Sequence, residues 1–141
     1  MNTLIEKYIL SQPAERQNIL EKIHQTIIES DKTVEATIEK MMGKEMILYK
    51  NKGSMKYGLA SVKSYMSLHA LPIYVSPALN SKYQLLLSNA KFQKGCINFE
   101  NENEMPIEIV KDLITDCSKI DLAKIREEQL KAAKAKKNAK K

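Results

Sequence analysis

Four side chains in this chain could take part in acid–base or nucleophilic chemistry or bind a soft metal: His24, His69, Cys96 and Cys117. Their spacing matches no metal-ligand motif, and a chain with only four glycines has no glycine-rich phosphate loop. His24 lies beside the apolar stripe of a predicted helix, which indicates a boundary residue. The pattern therefore favours a protein that is not an enzyme, with His69 as the one candidate base and Cys96 as a possible nucleophile.

Two segments, residues 65–70 and 96–100, alternate between apolar and polar side chains as strands do. If the two strands pair, the polar side chains of both lie on one face of a sheet, where a ligand or a partner could bind. An ordinary solvated sheet face would explain the same alternation. The candidate ligand-binding residues are Tyr65, Ser67, His69, Cys96 and Asn98.

Three glutamates, Glu100, Glu102 and Glu104, alternate with asparagines ahead of Pro106. Carboxylates in a flexible loop are typical ligands of calcium and iron, so this series is a candidate metal site. The glutamates lack the spacing of an EF-hand, and negative charge ahead of a helix is favourable without any metal. Both interpretations stay open, and the leading prediction includes no cofactor.

The positive charge of the chain is concentrated at its end. The sequence has 23 lysines and arginines against 17 acids, and residues 131–141 hold six lysines and no acid, so residues 1–130 carry 17 charges of each sign. A flexible basic segment gains affinity for phosphates by releasing counterions, but no aromatic residue is interleaved here to stack on bases. The tail Lys131 to Lys141 thus predicts at most weak binding of nucleic acid.

Hydrophobic periodicity predicts an α+β fold with a small antiparallel sheet of about four strands and helices packed on one face. Asp31 is expected to cap a helix over Thr33–Met42 that ends at Gly43, and Asn51-Lys52-Gly53 marks a hairpin turn. We expect one domain over residues 1–120, followed by a helix over 121–141 that runs into the lysine-rich tail. The other predicted helices cover residues 1–10, 14–30, 79–87 and 107–117, and the predicted strands cover 46–49, 55–59, 65–70 and 96–100.

No apolar run approaches the roughly 18 residues of a membrane span, and charged residues interrupt the apolar start of the chain. These features predict a cytoplasmic protein that does not insert into membranes. In a reducing compartment, two cysteines are interpreted as packing residues before they are interpreted as a disulfide.

Several strings resemble the YdhG-like family of small bacterial domains of unknown function, over about Thr3 to Lys119. They are Glu35-Ala36-Thr37-Ile38-Glu39 entering a strand, Val62-Lys63-Ser64-Tyr65-Met66-Ser67-Leu68-His69, Lys94-Gly95-Cys96-Ile97-Asn98-Phe99, and Met105-Pro106-Ile107-Glu108. The resemblance implies an antiparallel sheet with helices against it. Bacillus relatives are described as frataxin-like iron chaperones for iron–sulfur cluster assembly.

Two functional hypotheses follow. The leading one is a non-enzymatic intracellular binding module whose mixed sheet face meets a small molecule or a protein partner. The alternative, implied by the resemblance, is an iron-binding chaperone in which Glu100, Glu102 and Glu104 would hold the metal.

Overall fold

A six-stranded antiparallel sheet is the framework of the computed structural model, which describes residues 3–41, 43–93 and 96–139. Its strands follow the spatial order β1-β2-β3-β4-β6-β5, and each neighbouring pair is antiparallel. The strands are β1 Glu35–Met41, β2 Lys44–Asn51, β3 Ser54–Ser61, β4 Met66–Ala70, β5 Lys91–Gln93 and β6 Cys96–Phe99. The helices are α1 Thr3–Leu10, α2 Ala14–Ser30, α3 Leu71–Val75, α4 Pro77–Leu86, α5 Ile107–Ser118 and α6 Leu122–Ala139.

The α+β class is confirmed, but the expected count of about four strands was wrong. The two additional strands are β1 and β5, at opposite edges of the sheet. Strand β5 has only three residues, which are too few for an alternation of apolar and polar side chains to be recognised in the sequence. The short helix α3 also lies in a segment for which neither a helix nor a strand was predicted.

The predicted helix over Thr33–Met42 was wrong, because this segment forms β1; Met42 itself lies outside the described residues. Strand β1 pairs with β2 from Glu35 opposite Lys50 to Met41 opposite Lys44, so Gly43 belongs to a turn and does not end a helix. Its φ of +81° suits a glycine in that turn. The apolar residues of this segment fit both a helical and a strand period, and pairing with β2 decides between them.

One face of the sheet, hereafter the covered face, packs against the helices. The main hydrophobic core joins its side chains, among them Ile47, Leu59 and Leu68, to apolar residues of the helices such as Ile23 and Leu113. The opposite face, hereafter the open face, carries a separate small cluster whose members all come from β2 and β3: Met46, Leu48, Met55 and Ala60. The helices thus gather on the covered face, as the sequence predicts.

A buried ion pair joins the end of α2 to β3. Between the pairs Tyr49–Tyr57 and Lys50–Met55, β3 contains one extra residue, Lys56, so the register shifts by one at this point. Such a bulge can turn two successive side chains toward one face, and Lys56 and Tyr57 both reach Asp31. Lys56 Nζ lies 2.8 Å and Tyr57 Oη lies 2.7 Å from Oδ2 of this carboxylate.

Asp31 does not cap a helix over 33–42, contrary to the prediction. Its Oδ1 accepts a hydrogen bond from the backbone N–H of Thr33 at 3.0 Å, which fixes the chain between α2 and β1. Burial by itself would raise the pKa of Asp31, but hydrogen bonds from Lys56, Thr33 and Tyr57 outweigh it and hold that pKa below its ordinary value. Asp31 is therefore ionised at neutral pH although it is buried.

Asp31→Asn should lower the free energy of unfolding by about 3–5 kcal/mol, because it leaves the Lys56 ammonium buried without its counter-charge. Asp31→Asn combined with Lys56→Met should lose less than the sum of the two single changes. Urea unfolding at neutral pH measures both effects. The exposed pair Lys22–Glu102, at 2.9 Å, is the control, since removing it should cost less than about 1 kcal/mol. A loss below about 1 kcal/mol for Asp31→Asn would contradict the proposed role of the pair.

Helix α6 projects from the body of the protein. Leu122 is buried and Ile125 half-buried, whereas the side chains of residues 126–135 are exposed. Oδ1 of Asp121 accepts a hydrogen bond from the backbone N–H of Lys124 at 3.1 Å, so Asp121 caps this helix. In the described parts of the chain, neither α6 nor any other helix has the length and apolar character that crossing a membrane requires.

A chain shortened to end at Leu130 should melt within a few degrees of the full chain, because the removed residues include no large apolar side chain. Affinity for DNA or RNA, measured by fluorescence anisotropy, should disappear with these residues and fall steeply with salt in the full chain. Unfolding of the shortened chain, or unchanged binding at the same salt, would contradict the division into a neutral body and a basic tail.

Candidate functional site

The structure brings four of the five candidate residues together at the centre of the open face. Strands β4 and β6 pair directly, with His69 opposite Cys96 and Ser67 opposite Asn98. Residues that face each other across an antiparallel pair point to the same side of the sheet. Tyr65, the fifth candidate, directly precedes β4 and so lies on the Ser67 side of these two residue pairs.

Cys96 and His69 form a thiol–imidazole pair in direct contact. The distance between Cys96 Sγ and His69 Nδ1 is 2.9 Å, and both residues are half-buried. Burial raises the pKa of the Cys96 thiol and lowers the pKa of the His69 imidazole. The pair is therefore a neutral thiol beside a neutral imidazole at pH 7, which is a poor nucleophile compared with a thiolate–imidazolium pair.

Ser67 and Asn98 connect β4 to the edge strand β5. The Ser67 hydroxyl donates to Oδ1 of Asn98 at 2.8 Å, and Nδ2 of Asn98 donates to Oε1 of Gln93 at 3.2 Å. Ser67 is only 5% exposed, and this bond satisfies its hydroxyl. The chain of hydrogen bonds holds the Asn98 amide in one orientation across the sheet.

Tyr65 and Asn98 border a cleft of about 340 Å³ at this end of the sheet. The residues that give the cleft its chemistry are Tyr65, Lys91, Gln93, Asn98, Glu100 and Glu104. Sequence reasoning missed Lys91 and Gln93 because they belong to the unpredicted strand β5. The one sequence signal that could have suggested β5 is the glycine at position 95, because a glycine directly before the predicted strand at Cys96 is a residue type that often signals a turn between two strands.

The structure does not group the three glutamates proposed as metal ligands. Glu104 Oε1 accepts a hydrogen bond from the backbone N–H of Glu100 at 2.8 Å, whereas Glu102 Oε1 lies 2.9 Å from Lys22 Nζ on α2. Within residues 3–41, 43–93 and 96–139, no three or more His, Cys, Asp or Glu side chains are grouped as metal ligands. This arrangement adds no support to the iron-binding hypothesis, which stays a prediction.

The remaining histidine and cysteine lie in the interior. His24 Nδ1 is 2.8 Å from the Tyr49 hydroxyl, and burial lowers the pKa of His24. Cys117 is wholly buried in the core, and burial raises its pKa to about 12. Both cysteines are free, and Cys117 is a packing residue, in agreement with the interpretation of the sequence.

Comparisons with protein-family models, with curated proteins and with solved structures find no significant match for this chain. The resemblance to the YdhG-like family stays a prediction.

We expect Cys96 to react slowly with iodoacetamide at pH 7, since only a small fraction of a thiol with a raised pKa is ionised. The rate should rise about tenfold per pH unit between pH 7 and 8, with Cys117 unreactive until the protein unfolds. Mass spectrometry of the peptides that contain each cysteine measures both rates. Rapid modification of Cys96 at pH 6, with no increase in rate toward pH 8, would contradict a neutral thiol–imidazole pair. It would instead support the enzyme hypothesis.

Proposed function

We propose that this protein is a non-catalytic binding module that takes a small zwitterionic ligand, such as an amino acid, in the cleft beside Tyr65. The observation that carries the proposal is the combination of an aromatic ring, an ammonium group and carboxylates around one small cleft. A volume of about 340 Å³ is near the lower end of the range for ligand pockets, which favours a small molecule over a peptide segment.

Two opposite charges in the cleft support a zwitterion. Among the described residues, neither the Lys91 ammonium nor the Glu100 carboxylate has an ion-pair partner within 4 Å. A ligand with a carboxylate and an amine could pair with both. These pairs would be partly solvated, so we expect hydrogen bonds and shape to supply much of the affinity.

Tyr65 and Asn98 would orient the ligand. Tyr65 is 38% exposed, so one part of its ring is free to pack against an apolar side chain of the ligand. Asn98 is held by Ser67 and Gln93, which limits the entropy lost when a ligand contacts its amide. A preorganised amide next to a free aromatic ring suits recognition better than catalysis.

The neutral Cys96–His69 pair supports binding over catalysis, because the one candidate nucleophile is not activated. We also propose a cytoplasmic location, which two free cysteines favour. A YdhG-like fold is part of the same proposal and rests on the quoted sequence strings.

The test is a thermal-shift screen of the common amino acids, followed by calorimetric titration. A ligand at 100 times its Kd should stabilise the protein by about 2.7 kcal/mol, which raises the Tm by several degrees. Tyr65→Ala and Lys91→Ala should each weaken binding about tenfold or more. Tyr74→Ala is the matched control, because Tyr74 is a 62% exposed tyrosine on α3 that does not border the cleft.

Two results would count against the proposal. One is a screen in which no amino acid changes the Tm. The other is equal binding by the Tyr65→Ala and Tyr74→Ala variants, which would place the ligand outside the cleft.

A further inference from the structure

A second cleft, hereafter the α2 cleft, lies at the start of helix α2 and has a volume of about 530 Å³. It shares no lining residue with the cleft beside Tyr65. Its walls come from the end of α1 and the connection to α2, the starts of α2 and β2, and the end of β3 with the loop that follows. The volume lies within the range of small-molecule pockets. The residues that give the α2 cleft its chemistry are Tyr8, Arg16, Lys44, Glu45, Ser61 and Lys63.

Arg16 brings to this cleft a positive charge that no acid in the described chain neutralises. Its guanidinium donates to the Ser61 hydroxyl and to the backbone carbonyls of Val62, Lys63 and Tyr65, all of which are neutral groups. Among the described residues, no carboxylate lies within 4 Å of it. Because Arg16 is half-buried, water screens this charge only in part, and an anion in the cleft would be attracted to it.

Three hydrogen-bond donors at this cleft have no acceptor within the part of the chain that the structure describes. The Tyr8 hydroxyl accepts from the backbone N–H of Ser61 at 3.0 Å, and the Ser61 hydroxyl accepts from Nη1 of Arg16 at 2.9 Å. Neither hydroxyl donates its own hydrogen to a described residue, nor does Nε–H of Arg16. Since Tyr8 is only 6% exposed and Ser61 contacts both partners, these donors are held in place before any ligand arrives.

The charge and the donors of the α2 cleft suit one kind of anion. Three of its residues are cationic, Arg16, Lys44 and Lys63, and one is acidic, Glu45, so its border carries a formal charge of +2. A phosphate monoester has a charge of about −1.5 to −2 at pH 7 and three strong acceptor oxygens. We propose that the α2 cleft binds a small phosphate monoester whose phosphate group contacts Arg16 and the two hydroxyls.

The organic part of the ligand follows from the remaining space and from Glu45. A cleft of about 530 Å³ has room for an organic group as well as a phosphate. Glu45 is exposed and has no ion-pair partner among the described residues. Its carboxylate accepts hydrogen bonds from hydroxyls and repels a second anionic group, so the ligand carries hydroxyls and a single phosphate.

The experiment titrates the ¹⁵N-labelled full chain with glucose 6-phosphate at constant ionic strength and follows the backbone amide signals by NMR. We expect saturable shifts of the amides of Arg16, Ser61 and Lys63. Inorganic phosphate should shift the same amides with lower affinity, and glucose should shift none of them. The amides of the lysine-rich tail report separately on non-specific binding of anions.

Three changes test the contacts. Arg16→Gln removes the central charge, Tyr8→Phe removes one donor, and the double change Lys44→Gln with Lys63→Gln removes the flanking charges. Each should weaken the binding of glucose 6-phosphate about tenfold, because hydrogen bonds and ion pairs to a charged group are lost. Circular dichroism checks that each variant is folded. The lysine changes concern exposed side chains, so they keep the test valid if Arg16→Gln or Tyr8→Phe does not fold.

The matched controls are Lys32→Gln and Tyr74→Phe. They change an exposed lysine and an exposed tyrosine that do not border the α2 cleft, so neither should alter the affinity. Shifts that do not saturate, or that appear only in the lysine-rich tail, would overturn the proposal without any variant. Equal affinity for glucose 6-phosphate and inorganic phosphate would also overturn it, since it would indicate an adventitious ion only. Unchanged affinity in the folded double lysine variant would have the same consequence.

Discussion

The bulge in β3 and the buried charge pair it creates are the constraint on which this fold depends. One extra residue turns Lys56 and Tyr57 toward the same carboxylate, and that carboxylate lies at the junction of α2 and β1. A lysine with a 3% exposed side chain is tolerated only with a counter-charge. The position of α2 over the sheet, the start of β1 and the register of β3 are therefore coupled through a single group of side chains.

A second contact links the helices to the candidate cleft. Arg16, near the start of α2, donates to the Ser61 hydroxyl at 2.9 Å and to the carbonyl oxygens of Lys63 and Tyr65 at 3.3 and 3.4 Å. These bonds satisfy backbone carbonyls in the connection between β3 and β4, which ends at Tyr65. The helix layer thereby positions an aromatic residue that belongs to the opposite side of the molecule.

The two faces of the sheet have different chemistry because the helices cover only one of them. The covered face supplies the core, so its residues are almost all apolar. The open face has no helix to bury it in the described chain, and its polar residues meet solvent or one another at little desolvation cost. Thiol, imidazole, amide and ammonium groups therefore share this surface, from His69, Cys96, Asn98 and Lys91.

The sequence by itself determined α2 and α5, the β2–β3 hairpin and the alternation of β4 and β6, since long amphipathic periods and turn residues are local signals. It also placed Ser67, His69, Cys96 and Asn98 on one face, because alternation fixes which side chains point together once two strands pair. Tertiary structure alone decided that residues 35–41 form a strand, that Asp31 binds Lys56, and that β5 adds Lys91 to the cleft beside Tyr65. Each of these depends on pairing or packing between segments distant in the chain, where the free energy of contact outweighs a weak or ambiguous local preference.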